Sequence, residues 1–357
     1  MRRSRPPFLD DGMAKRTALV TGISGQDGAY LARLLLEKGY RVIGAHRRNA
    51  GSSPWRLTEL GIRQDIELVL LDLAEYSNIL RLLERTKPDE IYNLAAQSFV
   101  GASFDLPIYT GDVSGLAVAR FLEATRTVAP GARFYQASTS EMFGKVQQIP
   151  QSETTPFYPR SPYGAAKLYA HWMTVNYREA YGTFACSGIL FNHESPLRGL
   201  DFVTRKITTT LAERAQGRAG VLELGNLSAQ RDWGFAGDYV EGMWRMLQHA
   251  TPDDYVLATG STHTVRDFVR WAAEGIGLAL AFEGEGTEEV GRDAKTGAVV
   301  VRVNPEYFRP AEVDLLVGDA TKARTVLGWA PTMDVRQLAQ VMVEADVRRA
   351  MRGPILG

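Results

Sequence analysis

An apolar run, a glycine-rich turn and a helical stretch, TALVTGISGQDGAYLARLLLEK, constrain the fold of this chain more than any other segment. Residues 17–22 are short, apolar and β-rich, which predicts a buried strand, and residues 29–38 have the apolar spacing of a helix. The glycines between them follow the pattern G-x-x-G-x-x-G. Gly22 permits a tight turn, Gly25 leaves room for a pyrophosphate, and Gly28 permits close packing of helix on strand. Because a helix N-terminus also offers free amides to phosphate, this segment predicts a dinucleotide-binding unit.

The alternation of strand and helix recurs through the first half of the chain. Strands are predicted at residues 41–45, 66–71, 90–94 and 133–137, and helices at residues 77–85 and 114–127. Strands that alternate with helices pair in parallel through crossover connections. The predicted fold class is therefore α/β, a doubly wound parallel sheet of the Rossmann type.

The second half of the chain is less regular. Helices are predicted at residues 203–215, 239–248, 265–272 and 335–351, and a strand at 221–224; residues 282–301 are interpreted as an exposed hairpin or loop. We predict a Rossmann domain at residues 14–198 and a smaller, mainly substrate-binding domain at 199–357. Part of about 228–262 is expected to return to the Rossmann domain, and residues 1–13 are interpreted as a disordered extension.

Composition weighs against several classes of partner. The chain has 41 basic and 41 acidic residues, and this balance gives no support for binding to nucleic acid or to a membrane surface. No apolar run is long enough to predict a membrane span. The one cysteine, Cys186, cannot form an intrachain disulfide and fits a reducing cytoplasm. No group of residues has metal-ligand spacing, so no metal is predicted.

The end of the second predicted strand favours NADP over NAD. A fold that prefers NAD usually has an acidic residue here, which holds the ribose 2′-hydroxyl. This chain has Arg47 and Arg48 instead, and a guanidinium suits a 2′-phosphate. The competing interpretation is a pair of solvated surface arginines. Asp72 and Leu73 end the third predicted strand, where an aspartate can meet the adenine amino group.

Two pairs of polar residues predict the catalytic site. Tyr163 and Lys167 share one face of a helix, and an ammonium beside a phenol is expected to lower the phenol's pKa so that it acts as a base. Thr139 and Glu141 follow the fifth predicted strand, and parallel sheets bind their ligands at the carboxyl ends of strands. A carbonyl reductase needs a hydroxyl, a tyrosine and a lysine but no carboxylate. Glu141 therefore indicates proton chemistry at a second carbon of the substrate.

Longer blocks of the sequence resemble one known family. The segments GISGQDGAYLA, NLAAQSFVGAS, YQASTSEMFG, PFYPRSPYGAAKLYAHW, GILFNHESPLRG, FVTRKI, RDWGFAGDYV and YFRPAEVDLLVGD resemble GDP-mannose 4,6-dehydratases of the extended short-chain dehydrogenase/reductase type. The resemblance runs from about residue 15 to about residue 346. It implies conversion of GDP-mannose to GDP-4-dehydro-6-deoxy-mannose and water, with a hydride moved from C4 to C6 through bound NADP.

The resemblance also implies roles for individual residues. Catalytic roles fall to Thr139, Glu141, Tyr163 and Lys167. The implied cofactor contacts are Gly22, Ile23, Ser24, Gly25, Gln26, Asp27, Asp72, Leu73, Leu94, Ala95, Ala96, Gln97, Ser98, Tyr109, Lys167, His193 and Arg198. The arguments above add Gly28 and Arg47 to the predicted cofactor contacts. The implied GDP contacts are Asn192, Lys206, Arg231, Arg309 and Glu312. Residues 47–53 resemble a loop that reaches a neighbouring subunit's cofactor in family tetramers, so a homodimer or homotetramer is expected.

Other functions on the same fold compete with this interpretation. An epimerase would not need Glu141, and a 4-keto reductase would consume NADPH. A dTDP-glucose or UDP-sugar dehydratase is expected to have an Asp-Glu pair after the threonine, where this chain has Ser140 and Glu141. A non-catalytic NADP sensor would lack the Tyr163 and Lys167 pair. A purely structural oligomerisation module would leave the polar blocks unexplained.

Overall fold

The computed structural model describes residues 15–48, 54–218, 220–307 and 315–353. The strands in chain order are β1 (Thr17–Thr21), β2 (Arg41–His46), β3 (Glu67–Leu70), β4 (Glu90–Asn93), β5 (Arg133–Thr139), β6 (Ala185–Leu190), β7 (Asn192–Glu194), β8 (Leu222–Leu224), β9 (Gln230–Arg231), β10 (Trp233–Phe235), β11 (Asp254–Leu257), β12 (His263–Thr264), β13 (Leu280–Glu283), β14 (Val290–Asp293) and β15 (Val299–Val303). The α-helices are α1 (Gln26–Glu37), α2 (Trp55–Glu59), α3 (Tyr76–Thr86), α4 (Val100–Asp105), α5 (Pro107–Gly111), α6 (Ala117–Val128), α7 (Pro162–Tyr181), α8 (Val203–Ala215), α9 (Ala236–Gln248), α10 (Val265–Glu274), α11 (Thr321–Leu327) and α12 (Val335–Ala350).

Seven parallel strands form the large sheet, in the order β11-β6-β5-β4-β1-β2-β3. The chain builds outward from β1 to β3, then crosses back and builds outward again from β4 to β6. The strand order therefore reverses between β1 and β4, and such a switch point leaves a crevice at the carboxyl ends of the strands. The predicted fold class is confirmed.

Helices cover both faces of the large sheet, which explains why its central strands are buried throughout. Every residue of β1, β4 and β6 is buried, as expected for a parallel sheet that is covered on both sides. One apolar core lies between the sheet and helices α1 and α9. Another lies between the opposite face and helices α3, α6 and α7.

A smaller sheet, β13-β14-β15-β8, packs against α8, α10 and α12 around a separate apolar core. The interpretation of residues 282–301 as exposed is wrong for the end of that segment. Strand β15 pairs with β14 and β8, and Val300 and Val301 are 1% and 0% exposed. The valines face the core of the smaller body, while the glycine- and glutamate-rich turns before them face solvent.

The chain passes from the large sheet to the smaller body and later returns to the large sheet. Strand β11 follows elements of the smaller body in sequence but pairs with β6 at the edge of the large sheet. The domain limits given above stay a prediction. None of the described helices is both long and apolar enough to cross a membrane.

Candidate active site

Two adjoining cavities lie at the switch point of the large sheet. The first, of about 640 Å³, has walls that include Gly22, Ser24, Gly25, His46, Arg47, Asp72, Leu73, Leu94, Ala95, Ala96, Gln97, Ser98 and Tyr109. The second, of about 220 Å³, has walls that include Gly22, Gly25, Gln26, Asp27, Gly28, Thr139, Glu141, Tyr163, Lys167, Asn192, His193 and Arg198. Most residues that were predicted from the sequence thus share one crevice.

The backbone of the glycine loop fits a bound pyrophosphate. Gly22 has a φ of +68°, and a Cβ there would lie 3.0 Å from the amide nitrogen of Ala95. A Cβ at Gly28 would collide with the carbonyl oxygen of Gly22, so only glycine allows α1 to start this close to β1. The loop presents backbone and the N-terminus of α1 to the cavity, which is the arrangement that binds phosphate.

Arg47 and Asp72 both line the larger cavity. The Arg47 Nη1 donates a hydrogen bond to the Tyr109 hydroxyl at 2.9 Å. The Asp72 carboxylate accepts from the Ala74 amide at 3.0 Å. The larger cavity therefore contains both a guanidinium and a carboxylate among its lining groups.

The catalytic candidates lie in one wall of the smaller cavity. Thr139 ends β5, and its hydroxyl accepts a hydrogen bond from the Glu141 amide at 3.2 Å. Tyr163 and Lys167 lie in the first turns of α7. A Cβ at Gly164 would lie 2.7 Å from the carbonyl oxygen of Glu141, so this glycine lets α7 approach the turn that carries the carboxylate.

Burial shifts the pKa values of both predicted helix residues. Burial raises the pKa of Tyr163, the charge of Glu141 raises it further, and a hydrogen bond to Thr139 opposes both. Burial lowers the pKa of Lys167 to about 8. The Lys167 ammonium donates to the carbonyl oxygen of Ala137 at 2.9 Å and lies 5.8 Å from the centre of the Tyr163 ring. The predicted lowering of the Tyr163 pKa is therefore wrong for the protein alone, because desolvation outweighs the distant ammonium.

Three predicted binding residues lie outside the walls of the two cavities. Ile23 is 1% exposed and belongs to the core under the glycine loop. The Lys206 ammonium lies 4.3 Å from the centre of the Tyr307 ring, and the Arg231 Nη1 donates to the carbonyl oxygen of Gln230 at 2.7 Å. Arg309, Glu312 and residues 49–53 of the predicted subunit-interface loop lie outside the described residues.

Sequence reasoning missed Ser138. It lines the smaller cavity beside Thr139, is 3% exposed, and its hydroxyl has no hydrogen-bond partner among the described residues. The signal was its place in the run QASTS at the end of a strand. In the part of the chain that the structure describes, no group of at least three His, Cys, Asp or Glu side chains could hold a metal ion.

Known proteins have sequences similar to nearly the whole of this chain. The family model described as GDP-mannose 4,6 dehydratase matches residues 19–342. A GDP-mannose 4,6-dehydratase of Sinorhizobium fredii is 56% identical over 340 residues, which cover 93% of this chain and 97% of that protein. A human GDP-mannose 4,6 dehydratase is 51% identical over 351 residues, which cover 96% of this chain and 94% of that protein.

Solved structures extend the similarity to the fold. A dTDP-glucose 4,6-dehydratase of Streptomyces venezuelae with NAD bound has a TM-score of 0.78 at 21% identity, covering 94% of this chain and 98% of that one. The RMD protein of Pseudomonas aeruginosa, complexed with NADPH, has a TM-score of 0.72 at 21% identity, covering 94% and 100%. The family model covers most of this chain, and relatives that are about half identical to it cover nearly the whole chain. The chain therefore belongs to the GDP-mannose 4,6-dehydratase family.

Proposed function

We propose that the protein is an NADP-dependent hydro-lyase that converts GDP-mannose to GDP-4-dehydro-6-deoxy-mannose and water. The observation that carries the proposal is a carboxylate, Glu141, in the same cavity wall as the hydroxyl, phenol and ammonium of Thr139, Tyr163 and Lys167. Oxidation and reduction alone would use only the latter three. Removal of water across C5 and C6 also requires a group that moves protons there.

Residues of the larger cavity would hold the cofactor. Gly22 and Gly25, which line this cavity, would leave room for its pyrophosphate. Arg47 would bind a 2′-phosphate, and Asp72 would meet the adenine. When bound, the nicotinamide supplies an acceptor for the hydride from C4 and a donor for its return to C6. Asn192 would contact the substrate from the smaller cavity. Lys206 and Arg231, with Arg309 and Glu312, are proposed to bind GDP.

Tyr163 acts first in the proposed mechanism, as the base that takes the proton of the mannose 4-hydroxyl. The Thr139 hydroxyl orients this oxygen. Burial raises the pKa of Tyr163, so a cation must stabilise the phenolate. Lys167 and Arg198 line the same cavity, and the charge of Arg198 acts to lower the Tyr163 pKa.

Glu141 acts second. A ketone at C4 acidifies the proton at C5, and the Glu141 carboxylate removes it. The same group then protonates the hydroxyl that leaves C6 as water. Tyr163 gives its proton to C5 as the hydride returns to C6, so the residues and the cofactor end each cycle as they began.

The test is to incubate the purified protein with GDP-mannose, with and without added NADP(H), and to follow the sugar nucleotide by mass spectrometry. A product lighter by one water molecule, formed without net consumption of NADPH, is the expected result. Persistence of GDP-mannose under all conditions would contradict the proposed substrate. A dehydrated product that gains a further pair of hydrogens with NADPH would show an additional 4-keto reductase activity.

The proposal includes a homo-oligomer in the cytoplasm. Its support is the family resemblance of residues 47–53 and the reducing compartment that a chain with a single cysteine suits. Size-exclusion chromatography with light scattering would distinguish a dimer from a tetramer.

A further inference from the structure

His193 lies in the middle of β7 and meets a hydrogen-bond acceptor at each ring nitrogen. Its Nδ1 is 2.7 Å from the carbonyl oxygen of Phe191, and its Nε2 is 2.9 Å from the Asp27 carboxylate. A carbonyl oxygen can only accept, so Nδ1 must carry a hydrogen. A neutral ring would then direct the bare Nε2 lone pair at an anion. The geometry therefore requires a second ring proton, held between His193 and Asp27.

The same contact ties the glycine loop to the strand that carries Asn192. The Gln26 side-chain amide donates to the other Asp27 oxygen and to the His193 carbonyl oxygen, both at 3.0 Å. The side-chain oxygen Oε1 of Gln26 accepts a hydrogen bond from the Ser195 hydroxyl at 2.6 Å. These bonds join the start of α1 to residues 193–195, far apart in sequence, across the floor of the smaller cavity.

The groups around His193 come from several elements. The Tyr239 ring of α9 stacks on the imidazole with 4.5 Å between centres. Arg198, on the loop after β7, forms an ion pair with Glu194 at 3.2 Å. Lys167 of α7 is attracted by Asp27. Burial lowers the pKa of His193, but the charge and hydrogen bond of Asp27 oppose it and the net shift is upward.

We infer that His193 is an imidazolium at neutral pH and acts as a positioning residue, which fixes the glycine loop against the Asn192 strand and balances the charge of Asp27. The inference rests on the proposed function in so far as this cavity takes a dinucleotide. Loss of the proton would leave Asp27 as an unbalanced negative charge where a diphosphate binds. An anionic cofactor should then bind more weakly as pH rises through the His193 pKa.

The first test uses the cofactor-free full chain and does not depend on activity. The chain has five histidines, so ring-labelled histidine gives a small set of NMR signals. The signal that disappears in His193→Gln is assigned to His193. We expect the His193 signal to keep imidazolium shifts at pH values where exposed histidines are neutral. In Asp27→Asn it should titrate at lower pH. An assigned His193 signal that is neutral at pH 7 would overturn the inference, and Asp27→Asn provides the assignment if His193→Gln does not fold.

The second test measures the NADPH dissociation constants of the wild type and of Asp27→Asn by calorimetry between pH 6 and pH 9. Lys167 also titrates in this range, with a pKa of about 8 that the charge of Asp27 raises, so the two profiles are compared only over the pH interval in which the NMR signal of His193 titrates. One additional proton changes affinity by at most about tenfold per pH unit. We expect the wild type to lose affinity more steeply than Asp27→Asn where the His193 signal titrates. Parallel pH profiles would contradict the coupling to cofactor binding, whatever the outcome of the dehydratase assay.

Discussion

The sequence predicted a shared site for Thr139, Glu141, Tyr163 and Lys167, and these residues line one cavity. It did not predict the direction in which the pKa of Tyr163 is shifted. The spacing of Tyr163 and Lys167 fixes a shared helix face, and the position after β5 fixes the edge of the sheet. Burial is a property of the whole fold: Lys167 is only 3% exposed because α7 packs against β5. That packing turns a predicted decrease of the Tyr163 pKa into an increase.

Replacement of Glu141 by Gln should abolish most dehydration and leave cofactor binding intact. The amide keeps the size of the side chain but cannot take the C5 proton, and loss of a general acid or base typically costs about 10²–10⁴-fold in rate. Turnover of GDP-mannose and the NADPH dissociation constant are the quantities to measure. Glu288→Gln, at an exposed glutamate far from the crevice in sequence, is the control. A near-normal rate for Glu141→Gln would remove this residue from the mechanism.

Among the elements, the helix bounds were predicted most closely where no irregular turn adjoins the helix. Helix α8 has the predicted bounds, whereas α6 is preceded by a π-helical turn at Asp112–Leu116 that the pattern did not reveal. Strand β15 was misjudged because its parallel partner β8 is distant in sequence. Local composition carries no information on such a partner.

A buried ion pair joins α8 to α12 and should be important for the stability of the smaller body. Arg205 and Asp346 form a bidentate contact at 2.7–2.8 Å, with side chains 1% and 0% exposed. Asp346→Asn leaves the guanidinium buried without its anion, which typically costs about 3–5 kcal/mol in the free energy of unfolding.

The exposed pair between Arg336 and Glu274, at 2.8 Å, is the matched control. Glu274→Gln should cost no more than about 0–1 kcal/mol, because solvent screens both charges. Urea denaturation of the two variants provides the comparison. Equal losses of stability would show that burial of the Arg205 pair does not matter.

For the whole molecule, alternation of strands and helices was enough to predict the fold class. The Rossmann type carries the order of the first six strands, 3-2-1-4-5-6. The pairing of β11 with β6 at the edge depends instead on packing between elements that are distant in sequence. The proposed preference for NADP can be tested on the whole molecule, since a ligand that binds only the folded protein stabilises all of it.

NADPH should therefore raise the melting temperature more than NADH at equal concentration. Each tenfold difference in affinity corresponds to about 1.4 kcal/mol of additional stabilisation once both ligands are in excess. Arg47→Ala should reduce the difference between the two melting temperatures, because it weakens the binding of NADPH but not that of NADH. The control is Arg85→Ala, at an exposed arginine of α3, which should leave this difference unchanged. Equal melting temperatures with the two cofactors would contradict a preference for NADP.

The return of β11 to the large sheet has a consequence for how the chain is made. Until residues 254–257 leave the ribosome, β6 is an open edge strand with unpaired amides and carbonyls, and all six of its residues are apolar or small. Such edges recruit strands from other molecules. A chain that stops before β11 would keep this edge unpaired permanently, so truncation to the first domain should yield aggregates. Newly made chains should be prone to the same association until β11 has been synthesised and pairs with β6.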